Sequence, residues 1–441
     1  MEGSSTVSVP ISNFTELSKK LTKQIKDADI KKGGIYFTPQ SIIKRNIEII
    51  KTKTTLPHSN ITILEPSCGS GEFINIVNSE FTNSTITGIE LNKEIYKEIV
   101  KPEFKLSLGS GNGSGNKIEP FINKDYTKWE DKRLFDLIIG NPPYFVMKKS
   151  DIPNVHLDDF DGRPNIFVLF MLISLKKLKP DGILSFVLPT SFLNCLYYDK
   201  LRNKIFNEYK IIDIINCDDD KYLETQQNTI IFIVQNRKNE ASSNKNFTLL
   251  INNYTIFNTI DKIKILNELL VGATTLSEYK FDVNVGNIVW NQHKDILTDD
   301  NTKTRLIYNS DIIKNKLDMI KYKNEDKKNY IDLNKLDNKK SESKPLLVMN
   351  RGYGKGTYKL DYCLIEIDNY VIENHLICIR SSGDGAGTVE GAGTGNQALI
   401  KKYKKIMKSF KNPKTTKFIE TYFGNAAINT MELKHILPLY I

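Results

Sequence analysis

Apolar and polar positions alternate along the first half of the chain in a pattern that predicts strands separated by helices. Residues 12–28 carry apolar side chains at helical spacing, which predicts an N-terminal helix. Strands interleaved with helices form a mostly parallel sheet that helices cover on both faces. The pattern therefore predicts an α/β fold of the doubly wound type. The predicted strands lie at residues 61–64, 85–91, 135–139, 183–188, 211–215 and 229–234.

A polar segment at residues 237–245 interrupts this pattern and predicts a domain boundary. Beyond it the alternation is lost, and the charged, asparagine-rich stretch 321–343 predicts a surface loop. The glycine-rich tract 109–115 is typical of a flexible linker. The predicted division is an N-terminal helix (1–30), an α/β domain (31–240) and a C-terminal domain (241–441).

The composition is that of an ordinary globular protein, with 40% apolar and 26% charged residues. No apolar run approaches the roughly 20 residues that a membrane-spanning helix needs. The first ten residues lack the basic and apolar blocks of a signal peptide. The five cysteines show no CxxC spacing, which predicts a reducing compartment and no zinc site. Together these features predict a cytoplasmic protein without a membrane partner or a metal.

Positive charge is concentrated in the C-terminal part of the chain. The whole chain carries a net charge of +10. Residues 1–244 hold 32 basic and 30 acidic side chains, a balance of +2, whereas residues 245–441 hold 30 and 22, a balance of +8. A basic domain of this kind suits a polyanionic partner such as a nucleic acid. The alternative is a coding bias, because Lys, Asn and Ile are frequent throughout the chain.

A glycine-rich turn, Glu65-Pro66-Ser67-Cys68-Gly69-Ser70-Gly71, follows the first predicted strand and precedes a predicted helix. Its small side chains let the backbone approach a ligand at the carboxyl end of the sheet, where doubly wound folds bind nucleotides. Glu90 ends the second predicted strand, 19 residues beyond Gly71. A carboxylate at that position suits hydrogen bonds from ribose hydroxyls. Many dinucleotide enzymes share this arrangement, and a tight packing turn is the alternative.

Asp125 and Tyr126 precede the third predicted strand. Trp129 lies four residues beyond Asp125. The carboxylate of Asp125 suits an adenine amino group, and a nearby aromatic ring, that of Tyr126 or Trp129, suits a position over the adenine. A surface aspartate with no ligand is the alternative.

A strand running into Asn141-Pro142-Pro143-Tyr144 is the most specific signal in the chain. The two prolines fix the backbone, so the side-chain oxygen of Asn141 and the carbonyl of Pro142 can accept hydrogens from one NH₂ group. The lone pair of an aromatic amine is delocalised into its ring. Two acceptors on its hydrogens concentrate that lone pair and stabilise the positive charge that develops on nitrogen. Tyr144 can stack on the ring, and this chemistry requires neither a covalent nucleophile nor a metal.

These motifs resemble the gamma group of DNA adenine-N6 methyltransferases from restriction–modification systems, and their order along the chain is the same. The resemblance covers about residues 30–236. It implies a Rossmann-like S-adenosylmethionine-dependent methyltransferase sheet followed by a C-terminal α+β target-recognition domain. It also implies S-adenosylmethionine as the cofactor, no metal, and methyl transfer to N6 of an adenine flipped out of double-stranded DNA.

The resemblance also implies roles for individual residues. Residues 34–39 look like the first motif of the family, in which Thr38 contacts the methionine part of the cofactor. Tyr222 matches by spacing an aromatic that stacks on the flipped base, and an ordinary half-buried tyrosine is the alternative. The implied catalytic residues are Asn141, Pro142, Tyr144 and Tyr222. The implied cofactor-binding residues are Thr38, Glu65, Pro66, Ser67, Cys68, Gly69, Glu90, Asp125, Tyr126 and Pro143.

The C-terminal domain matches the family in position and size. Its segments 285–291 and 345–356 look like the parts of this domain that resemble the family best. Arg351, Tyr353 and Lys355 are the candidates for DNA contacts, and the alternative is that they are surface residues without a function. The glycine-rich tract 381–395 fits either a backbone approach to DNA or a mobile loop. The expected assembly is a monomer on double-stranded DNA, and a cognate restriction endonuclease is not required for its activity.

Four other functions are related to parts of this sequence pattern. A C5-cytosine methyltransferase needs a Pro-Cys nucleophile, which the chain lacks, and N4-cytosine enzymes more often carry serine in place of Asn141. Protein glutamine-N5 methyltransferases share the Asn-Pro-Pro-Tyr motif, but their additional domain precedes the catalytic fold. A catalytically silent DNA-binding subunit is the remaining alternative, which the intact motifs disfavour.

Overall fold

The computed structural model describes residues 13–26, 33–107, 115–217, 222–223, 228–237, 244–336, 339–350, 360–382, 394–423 and 428–441. The chain forms two compact units. Unit 1 comprises residues 1–250 and 254–263, and unit 2 comprises residues 251–253 and 264–441.

Unit 1 is built on a seven-stranded sheet, which confirms the predicted α/β fold. Its strands are β1 (Thr62–Glu65), β2 (Thr85–Gly88), β3 (Lys117–Ile118), β4 (Phe135–Gly140), β5 (Leu178–Pro189), β6 (Lys210–Asn216) and β7 (Thr229–Gln235). Their order is β3-β2-β1-β4-β5-β7-β6. Neighbours from β3 to β5 are parallel, whereas β7 runs antiparallel to both β5 and β6. The sequence did not predict β3, because two residues leave no alternating pattern.

Helices cover both faces of this sheet. The helices of unit 1 are α1 (Glu16–Gln24), α2 (Gln40–Lys53), α3 (Glu72–Glu80), α4 (Lys93–Ile99), α5 (Pro102–Ser107), α6 (Ile166–Lys176) and α7 (Asp199–Glu208). Successive side chains of a strand point to opposite faces. Leu64 of β1 therefore joins a core with α6, while its neighbour Ile63 joins a second core with α2 and α3. None of the helices that the structure describes combines the length and the apolar composition of a membrane span.

The parallel strands bring three loops to one edge of the sheet. Glu65 at the end of β1 pairs with Gly88 at the end of β2, and Leu64 pairs with Ile138 of β4. The chain therefore leaves β1, β2 and β4 at the same carboxyl edge, which is where doubly wound sheets bind their ligands.

The division between the units falls later than the boundary predicted at residue 240. β8 (Thr248–Ile251) and β9 (Tyr254–Phe257) form a hairpin whose second strand belongs to unit 1. The amide of Thr255 donates to the carboxylate of Asp199 at 2.7 Å, and its carbonyl accepts from the fully buried Arg202. These long-range hydrogen bonds to α7 leave no trace in the local polar pattern.

Unit 2 combines short strands with helices in an α+β arrangement. Its two four-stranded sheets have the orders β10-β19-β16-β17 and β11-β15-β12-β18, and β13 pairs with β14. The strands are β10 (Phe281–Val285), β11 (Leu297–Thr298), β12 (Thr304–Ile307), β13 (Ile312–Ile313), β14 (Lys316–Leu317), β15 (Tyr330–Ile331), β16 (Leu346–Met349), β17 (Tyr362–Ile365), β18 (Tyr370–Ile372) and β19 (Ile377–Ser381). The helices are α8 (Ile260–Leu270), whose first residues belong to unit 1, α9 (Thr394–Phe410), α10 (Pro413–Tyr422) and α11 (Thr430–His435).

Candidate active site

The glycine-rich loop between β1 and α3 is held against the end of β2 by hydrogen bonds. The amide of Cys68 donates to the carbonyl of Ile89 at 2.8 Å, and the amide of Gly69 donates to Oε2 of Glu90 at 2.8 Å. Gly69 and Gly71 have φ angles of 51° and 77°. This left-handed region is readily available to glycine and costly for most other residues. The two glycines therefore let the loop turn from β1 into α3 while its backbone stays at the carboxyl edge.

Glu90 is a buried carboxylate, with 7% of its surface exposed. Its Oε1 accepts from the amide of Asn92 at 2.7 Å, and its Oε2 accepts from the amide of Gly69. Burial raises the pKa of Glu90 to about 7, against the opposite effect of these hydrogen bonds. Each carboxylate oxygen offers two acceptor positions. Glu90 can therefore accept further hydrogen bonds, for example from hydroxyl groups.

Glu65, at the end of β1, is a buried carboxylate that lacks a partner for one oxygen. It is 2% exposed, and its Oε2 has no hydrogen-bond partner among the residues that the structure describes. Burial raises the pKa of Glu65 well above its ordinary value, and the nearby Glu90 raises it further. A buried polar atom without a partner costs about 1–3 kcal/mol. Such an atom beside a glycine-rich loop is a candidate for contact with a bound ligand.

The side chain of Asn141, just beyond β4, is held in one orientation. Its Nδ2 donates to the carbonyl of Tyr36 at 3.1 Å and to Oγ1 of Thr38 at 3.0 Å. Its Oδ1 accepts from the hydroxyl of Tyr144 at 2.5 Å, and its backbone carbonyl accepts from Oγ of Ser67 at 3.1 Å. Both amide hydrogens therefore have partners within the protein. The acceptor left for a substrate is the second lone pair of Oδ1.

The single hydroxyl hydrogen of Tyr144 is shared between Oδ1 of Asn141 and the carbonyl oxygen of Val187, which lies 2.7 Å from the hydroxyl oxygen. The Tyr144 ring meets Phe167 edge-on, with the ring centres 6.2 Å apart. Burial raises the pKa of Tyr144 well above its ordinary value, with a smaller contribution from Tyr222. The hydroxyl consequently stays protonated and acts as a donor. It connects the Asn141 oxygen to the end of β5.

The first motif packs directly on the Asn-Pro-Pro-Tyr turn. Gly34 has a φ of 61°, and a Cβ added there would lie 2.6 Å from the backbone nitrogen of Tyr144 and 3.2 Å from Cβ of Pro143. A side chain would therefore push the two segments apart. Pro142 is buried and Pro143 is half-buried within this contact, and Pro66 and Cys68 are buried on the glycine-loop side.

Tyr222 is half-buried and packs against the core that α2 and α3 share with the sheet. Its hydroxyl lies 3.1 Å from Oγ1 of Thr229, at the start of β7. Thr229 pairs with Pro189, the last residue of β5, so this contact lies at the carboxyl edge of β5. The Asn-Pro-Pro-Tyr turn follows the carboxyl end of β4, the parallel neighbour of β5.

Asp125 and Tyr126 separate in the structure. Asp125 is partly exposed, and its Oδ1 caps the following turn by accepting from the amide and hydroxyl of Thr127 at 2.9 and 2.7 Å. Tyr126 is 2% exposed, its hydroxyl lies 2.9 Å from Oγ of Ser174, and its ring packs on Phe170 of α6. This corrects the prediction that the Tyr126 ring covers an adenine, because the ring belongs to the core.

The sequence did not predict a polar cluster around Glu72, the first residue of α3. Its buried Oε1 accepts from the amide and hydroxyl of Thr15 at 2.7 and 2.9 Å and from Oγ of Ser18 at 2.5 Å. Its Oε2 accepts from Nε2 of Gln40 at 3.0 Å. Glu72 therefore lies at the N-termini of both α1 and α3, where helix dipoles favour a negative charge. The cluster ties α1 to the glycine-rich loop, because Ser18 also contacts Ser70 at 2.7 Å.

The predicted DNA contacts Arg351, Tyr353 and Lys355 lie outside the residues that the structure describes, as do most of the glycine-rich tracts 109–115 and 381–395. Within the described ranges, no group of three or more His, Cys, Asp or Glu side chains is arranged to hold a metal ion.

The strand order of unit 1, with its antiparallel seventh strand and its glycine-rich loop at the carboxyl edge, is the fold of class I S-adenosylmethionine-dependent methyltransferases. Residues 13–223 match the family described as Eco57I restriction-modification methylase.

Relatives extend the similarity beyond this unit. The chain is 25% identical over 374 residues to the type II methyltransferase M.CvrRI of Paramecium bursaria Chlorella virus XZ-6E, covering 83% of this chain and 88% of the relative. It is 25% identical over 435 residues to the modification methylase CviBIII of Paramecium bursaria Chlorella virus NC1A, covering 97% of each. The cryoEM structure of the DrdV–DNA complex shares the fold, with a TM-score of 0.50 and 11% identity, over 93% of this chain and 57% of that chain.

Proposed function

We propose that this protein is a site-specific DNA methyltransferase that transfers a methyl group from S-adenosylmethionine to N6 of adenine in double-stranded DNA. The observation that carries the proposal is the Asn141 carboxamide, which Tyr36 and Thr38 hold beside the glycine-rich loop. The match to restriction-modification methylases and to type II methyltransferases supports DNA as the substrate. The basic charge of residues 245–441 supports it independently.

The residues at the carboxyl edge fit S-adenosylmethionine, which supplies an activated methyl group when bound. Its amino-acid part carries a cationic ammonium group, and we propose that the unpartnered Oε2 of Glu65 faces that ammonium. Glu90 accepts hydrogen bonds from the ribose hydroxyls, and Asp125 accepts from the adenine amino group. Thr38, Pro143 and the backbone of residues 66–69 complete the proposed binding site.

The chain's own residues prepare the target nitrogen. Oδ1 of Asn141 and the carbonyl of Pro142 accept the two hydrogens of the amino group, which localises its lone pair. The same acceptors stabilise the positive charge on nitrogen while its bond to the methyl carbon forms and the bond from that carbon to sulfur breaks. The nitrogen then releases one proton to solvent.

The test of this function is to express the protein in a host that lacks adenine methylation and to sequence a plasmid with a method that distinguishes modified bases. We expect N6-methyladenine at one short recurring sequence. N4-methylcytosine instead would overturn the adenine assignment, and unmodified DNA together with a methylated host protein would overturn the DNA assignment.

Binding of S-adenosylmethionine should release protons near neutral pH. Because the pKa of Glu90 is about 7 in the free protein, part of the population carries a protonated carboxyl at that pH. Hydroxyl donors and a cationic ligand favour the ionised form, so its pKa falls on binding. Calorimetry in two buffers of different ionisation enthalpy measures this release. Glu90→Gln should release fewer protons, and equal release by both proteins would contradict the assignment.

The target base must leave the duplex to reach the Asn-Pro-Pro-Tyr turn, at a cost of a few kcal/mol. We propose that Tyr144 and Tyr222 stack on the flipped adenine. Tyr222→Ala should weaken its capture by about 1–3 kcal/mol, the range for base–aromatic stacking. With 2-aminopurine at the target position, the wild-type protein should raise fluorescence and the variant should raise it less. Unchanged quenching with the wild-type protein would contradict base flipping.

A further inference from the structure

The lysines of α9, of α10 and of the turn between them form a surface that the proposed active site does not use. Residues 394–423 contain eight lysines and one acidic residue, Glu420. All eight lysine side chains are exposed. We call this group the lysine ridge: Lys401, Lys402, Lys404, Lys405, Lys408, Lys411, Lys414 and Lys417.

The lysine ridge contains nearly all of the excess positive charge in the C-terminal part of the chain. Residues 394–441 hold nine lysines and two glutamates, a balance of +7, whereas the whole of 245–441 has a balance of +8. The remainder of that part is therefore almost neutral. The excess positive charge that would bind a polyanion therefore lies on these two helices and the segment that follows them.

Helical geometry places four of the lysines on one stripe. Residues 401, 404, 405 and 408 follow the spacing i, i+3, i+4 and i+7, which forms one face of a helix. With a rise of about 1.5 Å per residue, the stripe is about 10 Å long. The opposite side of α9 is buried in unit 2 through Tyr403, Ile406 and Phe410. The ridge therefore has a fixed orientation with its charges towards solvent.

Carboxylates do not compensate these charges. None of the eight lysines forms an ion pair with a carboxylate in the part of the chain that the structure describes, although other lysines of unit 2 do, such as Lys294 with Asp326 at 2.6 Å and Lys328 with Asp299 at 2.8 Å. The ammonium of Lys414 lies 5.5 Å from the centre of the Tyr440 ring. Eight like charges on two helices and the turn between them repel one another, and an anionic partner relieves that repulsion.

We propose that the lysine ridge binds the phosphate backbone of duplex DNA independently of base sequence. The proposal rests on the proposed function and names the surface that holds the substrate. Duplex DNA presents one negative charge per about 1.7 Å of its axis, so a stripe about 10 Å long faces several phosphates. A lipid surface fits less well, because a membrane-binding helix inserts its apolar face, and the apolar face of α9 is already buried.

The test compares two triple variants with the same change in charge. Lys401→Gln, Lys405→Gln and Lys408→Gln together remove three charges from the ridge. Lys44→Gln, Lys132→Gln and Lys245→Gln remove three exposed charges from unit 1 as the control. Lysine and glutamine have similar helix propensities, so α9 should remain folded. Fluorescence anisotropy with a labelled random-sequence duplex, measured over a range of salt concentrations, gives the affinity and its salt dependence.

Each phosphate contact contributes a slope of about 0.9 to the plot of log affinity against log salt. The ridge variant should therefore have a slope shallower by about 2.7 and an affinity at 0.1 M salt lower by about tenfold or more, while the control stays close to wild type. Equal losses of affinity in both variants, or a wild-type slope in the ridge variant, would overturn the proposal that the ridge binds DNA. Preferential binding of the wild-type protein to a single-stranded RNA competitor over duplex DNA would also overturn it. If the plasmid test detects no methylated DNA and wild type fails to bind duplex at low salt, the proposed function itself fails.

Discussion

Asn141→Ala should abolish methyl transfer, with a fall in kcat of about 10³-fold or more. Removing one preorganised group that stabilises developing charge costs about 10²–10³-fold in other enzymes. Here the loss should be larger, because the substitution also removes the side-chain oxygen that accepts from the hydroxyl of Tyr144. Single-turnover transfer of a labelled methyl group to duplex DNA measures the effect. Binding of S-adenosylmethionine and of DNA should change little, because Asn141 acts mainly as charge develops on the nitrogen.

Two variants make this result interpretable. Tyr144→Phe keeps the ring and removes the hydroxyl that donates to Oδ1 of Asn141, so it should retain far more activity than Asn141→Ala. Asn203→Ala replaces an exposed asparagine on α7 and controls for the loss of an amide. Full methylation by Asn141→Ala would remove the central residue from the proposed site.

Glu65→Gln should weaken S-adenosylmethionine binding by about ten- to a hundredfold while it stabilises the free protein. A charge-assisted hydrogen bond contributes about 1.5–3 kcal/mol, which corresponds to that loss of affinity. In the free protein the same carboxylate is buried with an unpartnered oxygen, so a neutral side chain there removes a penalty. The two effects have opposite signs because the negative charge stabilises the bound ligand, whereas in the free protein the burial of that charge is unfavourable. Calorimetric titration and thermal unfolding measure them separately.

The stabilisation should depend on pH in a defined direction. The pKa of Glu65 is raised in the folded protein above its ordinary value of 4.5, so the folded state binds this proton more tightly than the unfolded state. The contribution of this group to the free energy of unfolding is therefore complete below about pH 4.5 and is lost as pH rises through the folded-state pKa. Glu65→Gln should consequently melt higher than wild type at pH 8 and differ less at pH 4. Glu130→Gln, an exposed control, should show neither effect. Lower stability of Glu65→Gln at both pH values would show that the carboxylate has a structural partner.

The resemblance noted in the sequence agrees with the family model that residues 13–223 match, and the predicted fold is confirmed by the sheet of unit 1. Both depend on local signals. The strand β7 is visible in the sequence because all seven of its residues are buried, which leaves a continuous apolar run. The glycine-rich loop is visible because Gly69 and Gly71 adopt positive φ angles that exclude most other residues.

Long-range contacts were not predictable in this way. Tyr126 follows Asp125 directly, and both were expected at the ligand, yet the ring of Tyr126 packs in the core on Phe170. Glu65 and Glu72 are both acidic residues of one short segment. Donors from α1 and from Gln40 surround Glu72, whereas Oε2 of Glu65 lacks a partner among the described residues. The spacing of residues along the chain contains no information that distinguishes these cases.

The sequence by itself therefore determined the class of fold, the two motifs at the ends of β1 and β4, and the basic character of the C-terminal part. These properties follow from periodicity, glycine and proline geometry, and charge, which act over a few residues or over composition. The tertiary structure decided how the motifs are joined: Tyr36 and Thr38 hold Asn141 from more than a hundred residues away. It also decided that the carboxylate of Glu65 is buried, with one oxygen that lacks a partner among the described residues. It further decided that seven lysines of two helices, and Lys411 in the turn between them, are exposed. The physical reason is that hydrogen-bond partners and burial depend on which distant segments the sheet brings together. Local sequence patterns do not specify which segments those are.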